Sequence, residues 1–175
     1  NSGQALLNKI ADIHYRIQLE QNTKSIRKSP FELNLLLENC INSFRLPAET
    51  KNIELILQVQ PDIPAVVKGD EYRLRQIIIQ LIENAIKHTE QGEVLVKLWK
   101  NATDNDIVYF SVHDTGRGIA RDKIANLTQP SASLTTTEKT LGLNTVTELL
   151  AQLKSELLID SIEGEGSTFS FSLSF

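Results

Sequence analysis

Arg73, Gln76, Gln80, Glu83, Asn84, Lys87 and His88 follow one another at three- and four-residue spacing inside "RLRQIIIQLIENAIKH". On a helix they form one polar stripe that carries an amide, an amine and an imidazole. An Asn oxygen is a hard, neutral ligand suited to Mg2+, a cation that takes oxygen donors and keeps much of its water. A Lys one turn later faces anionic phosphate. The same stripe is also what a solvated helix face looks like, and this helix alone does not decide between the two. A second group is "VHDTGRGI". Val108, Phe110 and Val112 put one side of a strand in the core, and Asp114 continues that side. A carboxylate there is costly unless something donates to it. Gly116 and Gly118 follow and allow close backbone approach. A strand-end carboxylate beside a glycine loop suits a ligand with an amino group, such as adenine; the alternative is a hairpin-end Asp that caps its own turn. Third, Leu141–Leu143 reads "LGL" at the opening of a helix, and helix N-termini bind phosphate. Fourth, "EGEGSTF" is by itself a plain hairpin turn.

These residues need elements to hold them. Leu74, Ile77, Ile78, Leu81, Ile82 and Ala85 make the apolar face of the helix that carries Asn84, with Asp70 as its cap and Gly92 just past its end. Residues 94–100 and 107–114 read as an antiparallel pair joined around "NATDND". A Ser/Thr/Gln-rich loop covers 127–140, and a helix follows at 141–154 with Leu143, Val146, Leu149, Leu150 and Leu153 on one side. The chain closes with a hairpin. In its last strand Phe169, Phe171, Leu173 and Phe175 alternate with Ser170, Ser172 and Ser174, so one face is core and the other wet. Upstream, Lys24–Lys28 reads as a short strand. "SPFE" then opens a helix, with Ser29 as cap, Pro30 in the first turn and Glu32 completing a capping box. Leu33, Leu36, Leu37, Cys40, Ile41 and Phe44 form its buried face, which makes Cys40 a core residue. "NIELILQVQP" alternates as a strand, and Val66–Val67 as a further short one. Residues 5–24 read as a helix with a thin seam at Leu6, Ile10, Ile13 and Ile17, the pattern of a two-helix contact; the alternative is a terminal helix packed on its own domain. The predicted fold is an α/β two-layer sandwich, a mainly antiparallel sheet under three helices, preceded by an N-terminal helix.

Composition narrows the classes. The 175 residues are 41% hydrophobic and 23% charged, enough for a sizeable core. A net charge of -4 argues against a nucleic-acid surface. With Cys40 the one cysteine, no internal disulfide forms. No apolar run approaches about 20 residues, so no membrane contact is expected. The chain begins Asn-Ser-Gly, and a fragment of a longer protein is expected.

Taken together, in this order, the motifs resemble those of the ATP-binding catalytic domain of sensor histidine kinases, in the class shared with gyrase, Hsp90 and MutL. "RLRQIIIQLIENAIKHTEQGEV" is similar to the N box, "DTGRGI" to the first glycine box, "LGL" to the remnant of the second and "GEGSTF" to the last glycine motif. "SPFELNLLLENCINSF" and "GDEYRLRQ" are similar to the hybrid kinases. The resemblance implies a mixed, mainly antiparallel Bergerat-type fold over 25–175, with 1–24 as the end of the dimerisation hairpin's second helix. It implies ATP and Mg2+ as cofactors. Asn84 would ligate the metal, Lys87 approach the phosphates and Asp114 accept from the adenine amine. His88, Gly116, Gly118, Ile119, Thr140, Gly142, Leu143 and Thr168 would complete the nucleotide site. The implied activity is transfer of the γ-phosphate to a histidine outside this chain. The implied partners are a dimerisation hairpin, its own or a partner kinase's, and a response-regulator receiver domain. The implied location is the cytoplasmic part of a larger membrane-bound sensor.

Departures from the family pattern suggest a second reading. Gln80 stands where hydrolysing members carry a Glu and kinases an Asn. Glu138, Lys139 and Thr140 precede "LGL" where the phosphate lid carries glycines, and "LTQPS" keeps Pro130 without the lid's phenylalanines. His88 replaces an aromatic, and Lys154–Ser155 a double glycine. His14, in "DIHYRIQ", lacks the acceptor pattern. A degenerate signalling domain that binds nucleotide weakly or not at all, and regulates a partner kinase, is the alternative. The lid composition predicts a mobile lid and a Kd of about 100 μM or weaker, with ATP and ADP alike.

Overall fold

The computed structural model describes residues 3–11, 13, 26–104, 106–127 and 141–175. Residues 3–11 form α1, whose Leu6, Leu7 and Ile10 are all more than half exposed, as is Ile13 beyond it. Ile17 and His14 lie outside the described residues. The domain then runs β1 (Ser29–Glu32), α2 (Leu33–Thr50), β2 (Ile53–Val59), β3 (Val66–Gly69), α3 (Glu71–His88), β4 (Gly92–Lys100), β5 (Ile107–Asp114), α4 (Arg121–Leu127), α5 (Leu141–Gln152), β6 (Leu158–Ile162) and β7 (Gly166–Ser174).

Five strands form one sheet in the order β2-β4-β5-β7-β6. The β4–β5, β5–β7 and β6–β7 pairs are antiparallel. β2 runs parallel to β4, because α3 carries the chain between them as a crossover. The sheet is therefore mixed. Its inner face carries Val94, Val96 and Leu98, then Val108, Phe110 and Val112, then Phe169, Phe171 and Leu173, all buried. Against it lie the apolar faces of α2, α3 and α5, including Leu36, Leu37, Ile77, Ile78, Leu81, Val146 and Leu149. Cys40 is in this core, and burial pushes its thiol up to about 11. Among the described residues, no helix is long and apolar enough to cross a membrane.

Several local expectations fail. "SPFE" is not a helix start: it is β1, paired antiparallel with β3 from Ser29↔Gly69 to Glu32↔Val66. Glu32 precedes α2 without a side-chain cap bond. The strand wins because it buries Phe31 edge-on against Phe175, with ring centroids 6.3 Å apart, and an edge strand tolerates Pro30. Residues 26–28 of the expected Lys24–Lys28 strand have no regular structure, and 24–25 lie outside the described residues. Gly92 is not a helix cap; it opens β4 at φ +126°. Helix α5 ends at Gln152, where Lys154 adopts φ +59°; Lys154 N donates to Ala151 O at 3.1 Å and Ser155 N to Leu150 O at 2.8 Å. This is a Schellman closure with Lys154 at the position that favours glycine.

Candidate nucleotide site

Helix α3 carries the first part of the site. Asp70 caps it by accepting from Arg73 N at 3.0 Å. Asn84 and His88 are half-buried and Lys87 is exposed, on the side away from the apolar face, and Gln80 is half-buried one turn before Asn84. Arg73 departs from the expected polar stripe, since it is only 4% exposed. The last carbonyls of α3 are held from two directions. Lys51 Nζ donates to Ile86 O at 2.7 Å and to Lys87 O at 3.4 Å. Arg117 N donates to His88 O at 3.4 Å. The Arg117 guanidinium meets His88 Nδ1 at 2.7 Å, so that ring nitrogen is the acceptor.

This contact joins α3 to the glycine loop after β5. A side chain at Gly116 would strike His88 O, so only glycine lets the loop lie on the helix end. Gly118 takes φ +67°, and a Cβ there would meet Ile162 O. The loop is thus clamped between α3 and the β6–β7 hairpin. Gly164 N donates to Arg117 O at 2.7 Å, and Ile119 N to Ser161 Oγ at 2.8 Å.

Asp114 sits where these elements meet, 2% exposed. Its carboxylate accepts from Gly116 N at 2.9 Å, and the backbone of Ser167, its partner on β7, lies close enough to favour the charged form. Burial raises its pKa above the ordinary carboxylate value; the Gly116 bond, the nearby His113 and the Ser167 backbone pull the other way. The Gly116 bond has the turn-capping form of the alternative reading of Asp114. The capping geometry holds a buried carboxylate at the loop.

Thr168 is not beside Asp114. It pairs with His113, and its Oγ1 meets His113 Nδ1 at 2.8 Å on the opposite face of the sheet. Ser167 is the residue on the Asp114 side, buried, with its hydroxyl 2.8 Å from Ser161 Oγ. Alternation already held this answer, since Phe169 and Phe171 point inward and Ser167 shares their parity. Gly142 lies in the first turn of α5, while Leu143 is 4% exposed and belongs to the core. Thr140 and the lid over 128–140 lie outside the described residues. Sequence reasoning missed Lys51, whose contacts lie 35 residues away and leave no local signal. It also missed Thr89, whose fully buried Oγ1 has no hydrogen-bond partner among the described residues.

Among the described residues, no group of three His, Cys, Asp or Glu side chains could hold an ion. Asn84 supplies one neutral oxygen, which suits Mg2+ only if phosphate and water supply the rest.

A layered sheet of this topology, with a buried carboxylate over a glycine loop and an Asn/Lys helix alongside, defines a class. Residues 69–175 match the family described as histidine kinase-, DNA gyrase B-, and HSP90-like ATPase, and the chain belongs to that family. Among curated relatives, the circadian input-output histidine kinase CikA of Synechococcus elongatus is 34% identical over 97% of this chain. The match spans 23% of that protein. Full-length ShkA, solved in complex with AMPPNP, superposes with a TM-score of 0.83 at 30% identity, over 98% of this chain and 36% of that one. ThkA in complex with the response regulator TrrA shares the fold, with a TM-score of 0.72 at 19% identity, over 97% of this chain and 49% of that one. The chain is the ATPase-like catalytic domain of the sensor histidine kinase type, and it spans well under half the length of CikA and ShkA.

Proposed function

We propose that this domain binds Mg·ATP and presents the γ-phosphate to a histidine on a dimerisation hairpin. The observation that carries the reading is Asp114: a buried carboxylate, held by the Gly116 amide beside a glycine loop, with acceptor capacity left over. That capacity matches the amino group of adenine. Ser167 braces it, and Ile119 lines the loop beyond Gly118. Asn84 and Lys87 follow one turn apart, the first for Mg2+ and the second for phosphate. In the reaction the γ-phosphorus forms a bond to an imidazole nitrogen as its bond to the β–γ bridging oxygen breaks, and ADP leaves. Positioning and charge neutralisation do most of this work. Gln80 is no base at neutral pH, so water is not activated from that position. The imidazole is itself the nucleophile and needs no such base.

ShkA's AMPPNP and ThkA's response regulator support an adenine nucleotide and a receiver domain as this chain's partners. The exposed Leu6, Leu7 and Ile10 support a further helix against α1, from the same or a second kinase. The reading places the domain on the cytoplasmic side of a larger sensor. The comparisons lend the non-catalytic alternative no support.

The experiment is calorimetric titration with ATP and ADP, each with Mg2+ and with chelator. Saturable binding is expected near 100 μM, about -5.5 kcal/mol. Asn84→Ala removes the Mg2+ dependence and leaves chelated nucleotide binding and melting intact. Absence of saturable binding to the folded wild-type chain overturns the proposal.

A further inference from the structure

A buried charge pair outside the nucleotide site ties together three parts of the chain. Asp70 and Arg73 are 7% and 4% exposed. One Asp70 oxygen caps α3; the other accepts from Arg73 Nη1 at 2.6 Å and from Arg27 N at 3.3 Å. Arg27 lies in the neck that leads into the domain. The other side of the guanidinium reaches α5: Arg73 Nε donates to Gln152 Oε1 at 2.7 Å. Gln152 is the last residue of α5, whose first turn holds Gly142. A guanidinium is rigid and planar, so its two edges fix Asp70 and Gln152 relative to each other; an ammonium cannot do so.

Such a pair is a poor source of stability, because desolvation offsets the attraction. Its use is geometric. Gly142 lies ten residues from Gln152, about 15 Å along the helix. A tilt of roughly 10° pivoting at Gln152 moves that end by about 2.6 Å, enough to make or break a phosphate contact. We propose that Arg73 is a positioning residue that couples the neck at Arg27 to α5, so that the direction in which the chain enters the domain and the seating of the phosphate-facing helix end are set together. The coupling is a property of the fold; its bearing on nucleotide rests on the function proposed above.

The test is residue-resolved amide hydrogen exchange on the full 175-residue chain without nucleotide. Gln152→Leu removes the acceptor for Nε and touches neither Asp70 nor Arg27. The Arg27 amide is expected to exchange at least tenfold faster, while the β5 amides of Phe110 and Val112 keep their protection. Gln152→Glu retains an acceptor and restores the wild-type rate. Arg73→Lys behaves as Gln152→Leu; if it does not fold, Gln152→Leu decides. An unchanged Arg27 rate in Gln152→Leu, with only α5 loosened, overturns the proposal. A second series with Mg·ADP separates the two readings. Wild type that shows the exchange coupling but binds no ADP refutes the nucleotide site and leaves the coupling standing.

Discussion

Asp114→Asn tests the adenine assignment at its narrowest point. The substitution keeps volume, removes the charge and replaces one carboxylate oxygen with an NH2 group. In the wild type, one oxygen accepts from Gly116 N at 2.9 Å, with the Ser167 backbone close by. The amide oxygen of Asn can replace only one acceptor. If it stays on Gly116, the NH2 faces the adenine amine, donor against donor. If it flips toward adenine, the NH2 faces the Gly116 N–H instead. Either rotamer loses one charge-assisted bond at a buried position, about 1.5–3 kcal/mol. ADP affinity should therefore fall by about 10- to 150-fold, and the preference for adenine over guanine should shrink. Calorimetry with ADP and GDP reads both, and a melting curve checks the fold. The pH dependence gives an independent sign. Burial raises the folded carboxyl's pKa. Below that raised value the group is protonated and a poorer acceptor, so ADP affinity falls as pH drops through it. Stability moves the other way: the contribution is fully present below the unfolded carboxyl's ordinary value and is lost as pH rises through the raised folded one. Asp114→Asn should abolish both trends. A variant that binds ADP within twofold of wild type, at an unchanged melting temperature, refutes the assignment.

Three further changes test the supporting structure. Lys51→Met keeps the stem but strips the cation from the Ile86 and Lys87 carbonyls; a loss of about 1 kcal/mol is expected in denaturant titration, and an unchanged midpoint would show the contact to be idle. Lys154→Gly relieves a left-handed residue at the end of α5 and should gain about 1 kcal/mol, a rise of roughly 2–4 °C in Tm; a fall in Tm contradicts the closure described. Thr89→Val deletes a buried hydroxyl without a partner among the described residues and keeps its shape, so the variant should match wild type or gain up to about 1 kcal/mol; a loss of that size would reveal a bound water or another partner on Oγ1.

What the sequence discloses follows from the range over which each choice is made. Helix α3 and strands β4, β5 and β7 are legible because their apolar periods of 3.6 and 2 are local and strong, and that pattern fixes which faces Asn84, Lys87 and Asp114 lie on. The glycine loop was legible because close approach leaves a mark in the residue itself: Gly116 is the one residue type that lets the loop rest on His88 O. "SPFE" misled because its Ser, Pro and Glu satisfy a local capping rule, while the deciding contacts are with Val67 and Phe175, 36 and 144 residues beyond Phe31. The direction of β2 was equally hidden, since a parallel pair is set by the crossover and not by the strand. Thr168 differs for another reason: the alternation of the last strand puts Ser167, not Thr168, on the face of Phe169 and Phe171, and one residue along a strand changes the face. Arg73 shows the limit most clearly. By spacing it belongs to the polar stripe of Asn84 and Lys87, and its neighbour Asp70, three residues before, reads from the sequence only as a helix cap although it is Arg73's buried ion-pair partner. Its fate is decided by Gln152, 79 residues on. The two ends of α3 therefore differ: one is held by buried charge against α5 and the neck, and at the other Asn84 and His88 are half-buried and Lys87 exposed, the residues the proposed function assigns to nucleotide.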